Sequence, residues 1–228
     1  MQLPLPDPEI TEAAPPLVIF GAGGLGREIL VLLRQLNANQ PTWDVRGFYD
    51  DQSPAAATVA GLPYLGTSAD LQASPVPLAV VLAVGGSAGR AAVVARLTSA
   101  RLSFPPLVHP GVGLTPDQRI ALGEGCIIQR GCVLTCDIVL GRFVLLNLGC
   151  TVGHDAQIGD FCSLMPHANV SGGVQLGPGV YLGTNASVIQ GVRIGAQSVL
   201  GAGAVVIRDL PAAVTAVGVP AIVIKNHA

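Results

Sequence analysis

Four histidines and five cysteines are the side chains of this 228-residue chain best suited to proton transfer, nucleophilic attack or metal ligation. One has a chemical neighbour built in: His154 is followed directly by Asp155. A carboxylate beside an imidazole fixes its tautomer and raises its basicity. Such a pair can serve as a general base near neutral pH; the alternative is a solvated surface histidine. His109 precedes Pro110 and His227 lies in the terminal tail, so neither has a comparable claim. A second candidate is the loop Gly21-Ala22-Gly23-Gly24-Leu25-Gly26, set between an apolar run and a helical pattern. Glycines there allow tight turning and let a phosphate approach a helix N-terminus. Asp50, beside Asp51, follows 24 residues after Gly26, about where an acidic residue often binds a ribose. A tight turn with a solvated acidic strand end is the alternative.

Two kinds of element must position these residues. From Leu17 to about Phe104, strands alternate with helices: Leu17 to Phe20, a helix after the glycine loop, Val45 to Tyr49, a short helix from Ser68 to Gln72, Leu78 to Val84, and a helix from Ser87 to Ala100. That order predicts a small parallel sheet covered by helices, a nucleotide-binding domain over 17–105. It is half the size of a full dinucleotide domain, so a nicotinamide site is disfavoured and a smaller nucleotide ligand held by Gly23, Gly24, Leu25, Asp50 and Asp51 is the better reading, a nucleotide sugar by the resemblance described below.

Beyond residue 105 the chain repeats. Every sixth residue from Leu122 to Val206 is Leu, Ile or Val, fifteen in succession. Two residues before each lies a second register of small or apolar residues, with Ser198 its only polar member. Period six matches neither helix nor ordinary strand. It predicts a parallel β-solenoid over 106–228, three short sides and three tight corners per 18-residue coil, about five coils in all. Leu146, Leu164, Leu182 and Leu200 would then stack inside, about 4.8 Å apart. Cys126, Cys132, Cys150 and Cys162 occupy the second register and read as small core fillers, without metal or disulfide. His154 falls in a corner, off the inward row. His167 falls in a different corner, two sides further on.

Composition narrows the classes. Charged residues are 11% of the chain and the net charge is −2, which leaves no basic footprint for nucleic acid. No apolar run approaches the roughly 18 residues of a membrane span. The first 16 residues lack a basic residue and an apolar core, so they predict a flexible Pro-rich arm and no secretory signal. An odd cysteine count without an export signal predicts free thiols in a reducing cytoplasm.

The hexads, with Gly-Val-Pro-Ala at 218–221, resemble the left-handed parallel β-helix of hexapeptide-repeat acyltransferases. With the glycine loop, Tyr49-Asp50-Asp51, and the run from Asn147 through Gly153-His154-Asp155 to Asp160, the chain is similar from Leu17 to Lys225 to the sugar acyltransferases that N-acetylate nucleotide-linked amino sugars or O-acetylate sialic acid. The resemblance implies a homotrimer with acetyl-CoA in the clefts between subunits, a nucleotide-sugar acceptor, and direct acyl transfer with His154 as base and Asp155 as its partner. It implies that Gly172, in Ser171-Gly172-Gly173, meets the thioester end of the cofactor. It further implies that Thr184 and Ala202 give backbone contacts to the cofactor, and that Asn147 belongs to the substrate site. His167 matches no catalytic position and reads as structural or cleft-lining.

Two positions depart from the pattern: many relatives have histidine where Leu25 stands, and often a cofactor-contacting histidine where Ser163 stands. Ser163 is expected to keep one hydrogen bond to the cofactor. Three other functions stand against this one. A zinc solenoid hydratase needs histidines spaced by five, which this chain lacks. A sugar nucleotidyltransferase needs a much larger catalytic domain. A non-catalytic solenoid scaffold or nucleotide-sugar sensor remains the rival of another class.

Overall fold

In the computed structural model, residues 14–38 and 40–227 are described. Most of the predicted arm, residues 1–13, therefore lies outside the described residues. Pro16 already belongs to the first strand. The N-terminal region is a six-stranded sheet in the order β3-β4-β2-β1-β5-β6. Its strands are β1 (Pro16–Phe20), β2 (Asp44–Tyr49), β3 (Thr58–Val59), β4 (Leu62–Gly66), β5 (Leu78–Leu82) and β6 (Leu102–Ser103). All neighbours run parallel except β3 and β4. Helices α1 (Gly24–Asn37), α2 (Ser68–Gln72) and α3 (Ser87–Val94) link them. Leu17, Val18, Ile19 and Phe20 are all buried, the near-continuous apolar run of a central parallel strand covered on both faces.

Two elements are shorter than expected. β5 ends at Leu82 and α3 ends at Val94, six residues before Ala100. The cause lies in Thr98 and Ser99, whose polar groups bond elsewhere: Gln72 Nε2 donates to Thr98 Oγ1, and Ser99 N–H to Gln72 Oε1. A backbone N–H satisfied by a side chain of another element, here α2, is lost to the helical ladder.

The rest is a three-sided parallel β-helix, of the left-handed kind the resemblance implies. Two faces carry five strands each, one containing Thr151–Val152 and the next Gln157–Ile158. The third carries eight. It extends beyond the predicted hexads at both ends, because Leu107–Val108 pairs below Ile127–Ile128, Val214–Val217 pairs above Val199–Leu200, and Ile222–Asn226 adds an antiparallel strand to Val214–Val217. The stacking register is the expected one: Leu146 sits beside Leu164, Leu164 beside Leu182, Leu182 beside Leu200. Every inward aliphatic residue is buried except the terminal Leu122, and the four second-register cysteines are buried and unbridged. Burial pushes the Cys126 thiol up to about 11 and the Cys162 thiol up to about 12, so both are protonated, inert fillers at neutral pH. Ser198 is tolerated because its hydroxyl donates to the Pro211 carbonyl at 2.8 Å.

The corners have their own chemistry. Glycine follows the aliphatic residue in eight of the fifteen hexads, and there it is a matter of space: a Cβ at Gly159 would lie 2.6 Å from Pro178 N, where the next coil passes. Two residues later the backbone turns left-handed, at Asp155 (φ +60°), Phe161 (+59°) and His167 (+59°) among others.

The nucleotide-type sheet docks on the third face. Leu17, Ile19, Ile29 and Leu33 form one apolar cluster with Leu107, Ile127 and Leu145. Val18, Val80, Val93 and Leu97 join Phe104 and Phe143 in another. Between them lies Arg90, 1% exposed. Its Nε donates to Phe143 O (2.9 Å), Nη1 to Val84 O (2.7 Å), and Nη2 to Phe161 O (2.9 Å), Cys162 O (3.0 Å) and Ser163 Oγ (3.0 Å). Burial holds its guanidinium down, to about 10, still charged at neutral pH. No helix among the described residues is long and apolar enough to cross a membrane.

Candidate active site

His154 stands in the corner after Thr151–Val152, and the coils on either side grip that corner. Asp155 N donates to Cys136 O in the coil below, and Gly173 N in the coil above donates to His154 O at 2.7 Å. The side chain stays outside, about two-thirds exposed, with Nδ1 2.8 Å from Asp155 Oδ2. An ionised carboxylate only accepts, so Nδ1 carries the hydrogen of the neutral ring and Nε2 keeps its lone pair. Nε2 faces Gly172, one coil up: a Cβ there would lie 2.6 Å from it. The missing side chain leaves open the space in front of the basic nitrogen. We therefore expect Gly172→Ala to displace the imidazole while the coil, whose backbone is not strained at this residue, stays folded. Steady-state assays should show kcat reduced about 10- to 100-fold with an unchanged circular dichroism spectrum.

The glycine loop divides by function. Gly21 (φ +113°) and Gly26 are structural, since a Cβ would meet Ala83 O at 2.5 Å and Gly21 O at 2.0 Å respectively. Gly23 and Gly24 are exposed with nothing within 4 Å of a Cβ, so a ligand can reach the backbone there. α1 begins at these residues without a side-chain cap and without an acidic residue in its first turn, which leaves donors and a positive dipole end for an anion. Asp50 accepts from Ala22 N and Gln52 N, both at 2.8 Å, and so braces the loop. Asp51 turns the other way, accepting from Ser68 N and pairing with Arg96 at 2.6 Å. The hydrogen bond from Ser68 comes first among the causes that hold its carboxyl below the usual range. Leu25 is half-buried against the apolar cluster that also takes Met165.

The solenoid sorts the remaining residues by edge. His154, Gly172 and Gly173 share the edge between the first two faces. Asn147, His167, Thr184 and Ala202 share the edge between the third face and the first. Asn147 is buried and its Oδ1 accepts from Leu148 N at 2.7 Å; His167 lies exposed over Gly149. The edge with His154 is opposite the face on which the glycine-loop domain docks, so the structure keeps the loop of a chain away from that chain's own His154.

Ser163 requires a correction. It is fully buried, its hydroxyl donates to Gly85 O at 2.8 Å and accepts from Arg90 Nη2, and Ser87 Oγ lies 3.1 Å away. Its position on the third face puts it beneath the loop before α3, where it fastens the two parts of the chain and offers no side-chain contact to a cofactor. His109 Nδ1 accepts from Gly111 N and His227 pairs with Thr215, both local braces. Among the described residues no three His, Cys, Asp or Glu side chains converge as a metal site. Arg90 was not singled out by any sequence signal. Arg119 and Asp137 belong to no motif either; the signal that could have found them is that they precede Asp155 at successive intervals of 18.

Known proteins share this arrangement. Residues 16–97 match the PglD N-terminal domain, and 173–208 match the bacterial transferase hexapeptide, six repeats. PerB from Caulobacter crescentus, solved with CoA and GDP-perosamine, is 32% identical, with a TM-score of 0.82 over 92% of this chain and 97% of its own. The acetyltransferase domain of PglB from Neisseria gonorrhoeae, solved with acetyl coenzyme A, is 29% identical, with a TM-score of 0.82 over 92% of this chain and 100% of its own. WeeI from Acinetobacter baumannii is 27% identical, with a TM-score of 0.80 over the same shares. Among curated proteins, none matches significantly. Near-complete coverage at that identity, with domain and solenoid in the same order, means that the chain belongs to the hexapeptide-repeat sugar acyltransferases that carry a PglD N-terminal domain.

Proposed function

We propose that this protein transfers the acetyl group of acetyl-CoA to an amino group of a nucleoside-diphosphate-linked sugar, with His154 as general base. The observation that carries this reading is the His154–Asp155 pair, with Nε2 facing the open space at Gly172. The acceptor's diphosphate binds at Gly23 and Gly24 on the first turn of α1, beside the loop that Asp50 holds in shape. The amine attacks the thioester carbonyl while Nε2 takes its proton. The tetrahedral oxyanion meets the backbone N–H of Gly172, since the Gly173 N–H is already held by His154 O. When the C–S bond breaks, the imidazolium returns the proton to the departing thiolate. Asp155 stabilises the imidazolium between these steps and keeps Nε2 as the accepting nitrogen. The Nε2 exchange needs no covalent enzyme intermediate, and the buried cysteines take no part.

A copy of the chain must supply what one chain separates. The glycine loop sits over the third face and His154 on the opposite edge, so a sugar held by one subunit meets the base of another. A homotrimer, with the Asn147–Thr184–Ala202 edge of one chain facing the His154 edge of its neighbour, supports this and places acetyl-CoA between them. Thr184 and Ala202, both exposed and one coil apart, then contact the cofactor through their backbones. The domain division follows: 17–105 holds the nucleotide sugar and 106–228 performs transfer. Unbridged thiols and these substrates support a cytoplasmic location.

The direct test offers acetyl-CoA with GDP- and UDP-linked 4-amino sugars, and with sialic acids, and follows free thiol. Turnover is expected with a nucleotide-linked amine. Release with sialic acid alone would replace the acceptor by a hydroxyl, and no turnover with any acceptor would favour a scaffold or sensor.

A further inference from the structure

The edge that carries His154 holds a column of charge. Arg119, Asp137 and Asp155 are spaced by 18 and all three have left-handed backbones, with φ of +51°, +56° and +60°. Backbone hydrogen bonds tie their corners directly one above another: Asp137 N to Gln118 O at 2.8 Å, Asp155 N to Cys136 O at 3.2 Å. The side chains therefore project from the same edge at intervals of about 4.8 Å. Arg119 closes a two-pronged bond on Asp137, Nε to Oδ1 at 2.6 Å and Nη2 to Oδ2 at 2.5 Å. Asp155 is engaged with the imidazole. Two carboxylates thus lie at and beneath the base, and the lower one is cancelled by an arginine.

We propose that Arg119 tunes the base through Asp137: by neutralising that carboxylate it leaves Asp155 as the single uncompensated anion acting on His154. Arg119 and Asp137 are positioning residues, since neither is placed to touch substrate. The inference rests on His154 being the base, but its test does not depend on turnover. The groups facing the imidazole are few. Its own corner supplies Asp155, and the coil below supplies Asp137 and the thiol of Cys136. The coil above offers Gly172 and Gly173, which carry no charge. The next charges up the column, Arg208 and Asp209, lie three coils above, about 14 Å away. The N-terminal domain lies on the opposite face. Interaction with Arg119 is the leading cause holding the Asp137 carboxyl below its usual range, with the hydrogen bonds to Arg119 first and the charge of His154 a smaller contribution in the same direction.

The sign follows from the charges. Without Arg119, an uncompensated negative charge one coil below favours the imidazolium and raises the pH at which His154 gives up its proton. Without Asp137 the lone guanidinium does the reverse. Two unit charges about 6 Å apart in a solvent-like dielectric shift a titration by about half a unit. Salt at 1 M, with a screening length near 3 Å, should erase most of it.

The measurement is the NMR titration of the histidine ring protons in the full-length protein, where four histidines give four curves and the His154 curve is the one lost in His154→Gln. At low ionic strength we expect Arg119→Gln to move the His154 midpoint up by about half a unit, Asp137→Asn to move it down, and the double variant to return it to the parent value. Arg119→Lys, which keeps the charge, should leave it unmoved. Should Arg119→Gln fail to fold, the downward shift in Asp137→Asn alone tests the same coupling. A midpoint unmoved in both Arg119→Gln and Asp137→Asn, or the same shift at 1 M salt, would overturn the proposal. An inactive His154→Ala beside unmoved midpoints sinks only this inference, whereas a fully active His154→Ala removes the base and the proposal with it.

Discussion

His154→Ala is expected to lower kcat by about 10²–10⁴ while the coils, and the assembly they form, stay intact. The structural grounds for separating activity from folding are clear. The side chain is about two-thirds exposed and makes one side-chain contact, to Asp155, whereas the corner is held by backbone bonds to the coils above and below. Nothing in the interior column depends on the imidazole. Size-exclusion chromatography and thermal melting should therefore match the parent protein, and the loss should fall on kcat because the base acts in the transition state of amine attack. Asp155→Asn should behave differently in kind. The amide can offer a donor to Nδ1 and leave the proton on Nε2, so the ring loses its basic nitrogen without losing its place. A rate within twofold of the parent in His154→Ala would remove the imidazole from the mechanism.

The largest expected effect on stability is at Arg90. Removing its buried side chain leaves the carbonyls of Phe143, Val84 and Phe161 without their donor, and that of Cys162 with Leu145 N alone. It also takes away the charge around which the loop before α3 is folded. Arg90→Ala is expected to cost about 3–5 kcal/mol, comparable to breaking a buried charged network. The cost is local to the junction. The solenoid has its own interior column, and the sheet has Leu17, Ile19, Ile29 and Leu33 behind it. Urea denaturation followed separately by Trp43, packed on the N-terminal apolar cluster just before β2, and by far-ultraviolet circular dichroism should split into two transitions, the N-terminal part melting first. Arg90→Lys should recover part of the loss, since an ammonium has three donors but lacks the fork that reaches both coils. A single transition at the parent midpoint in Arg90→Ala would show that the apolar clusters alone hold the two parts together.

The solenoid was legible in the chain because its interior obeys a strictly local rule. Each inward aliphatic residue is six from the last, so the periodicity, the 18-residue stacking of Leu146 on Leu164, and the outward placement of His154 all follow from counting. The exceptions are the additional strands at Leu107–Val108, Val214–Val217 and Ile222–Asn226, which complete the third face without belonging to a hexad. The pairing of His154 with Asp155 was equally visible, since neighbours in sequence at a tight corner stay neighbours in space.

What counting could not reach is whatever depends on one part of the chain lying against another. Ser163 occupies an ordinary hexad position, and only the docking of the N-terminal sheet on that face buries it under Gly85 and Arg90. Asp50 and Asp51 are adjacent in sequence, yet in the turn just after β2 one braces the glycine loop while the other pairs with Arg96. Which face of the prism the N-terminal domain covers, and hence that a chain's glycine loop and its own His154 stand on opposite sides, was a tertiary decision. It is made by apolar clusters and one buried guanidinium whose partners lie 53 to 73 residues away, contacts that no local period records.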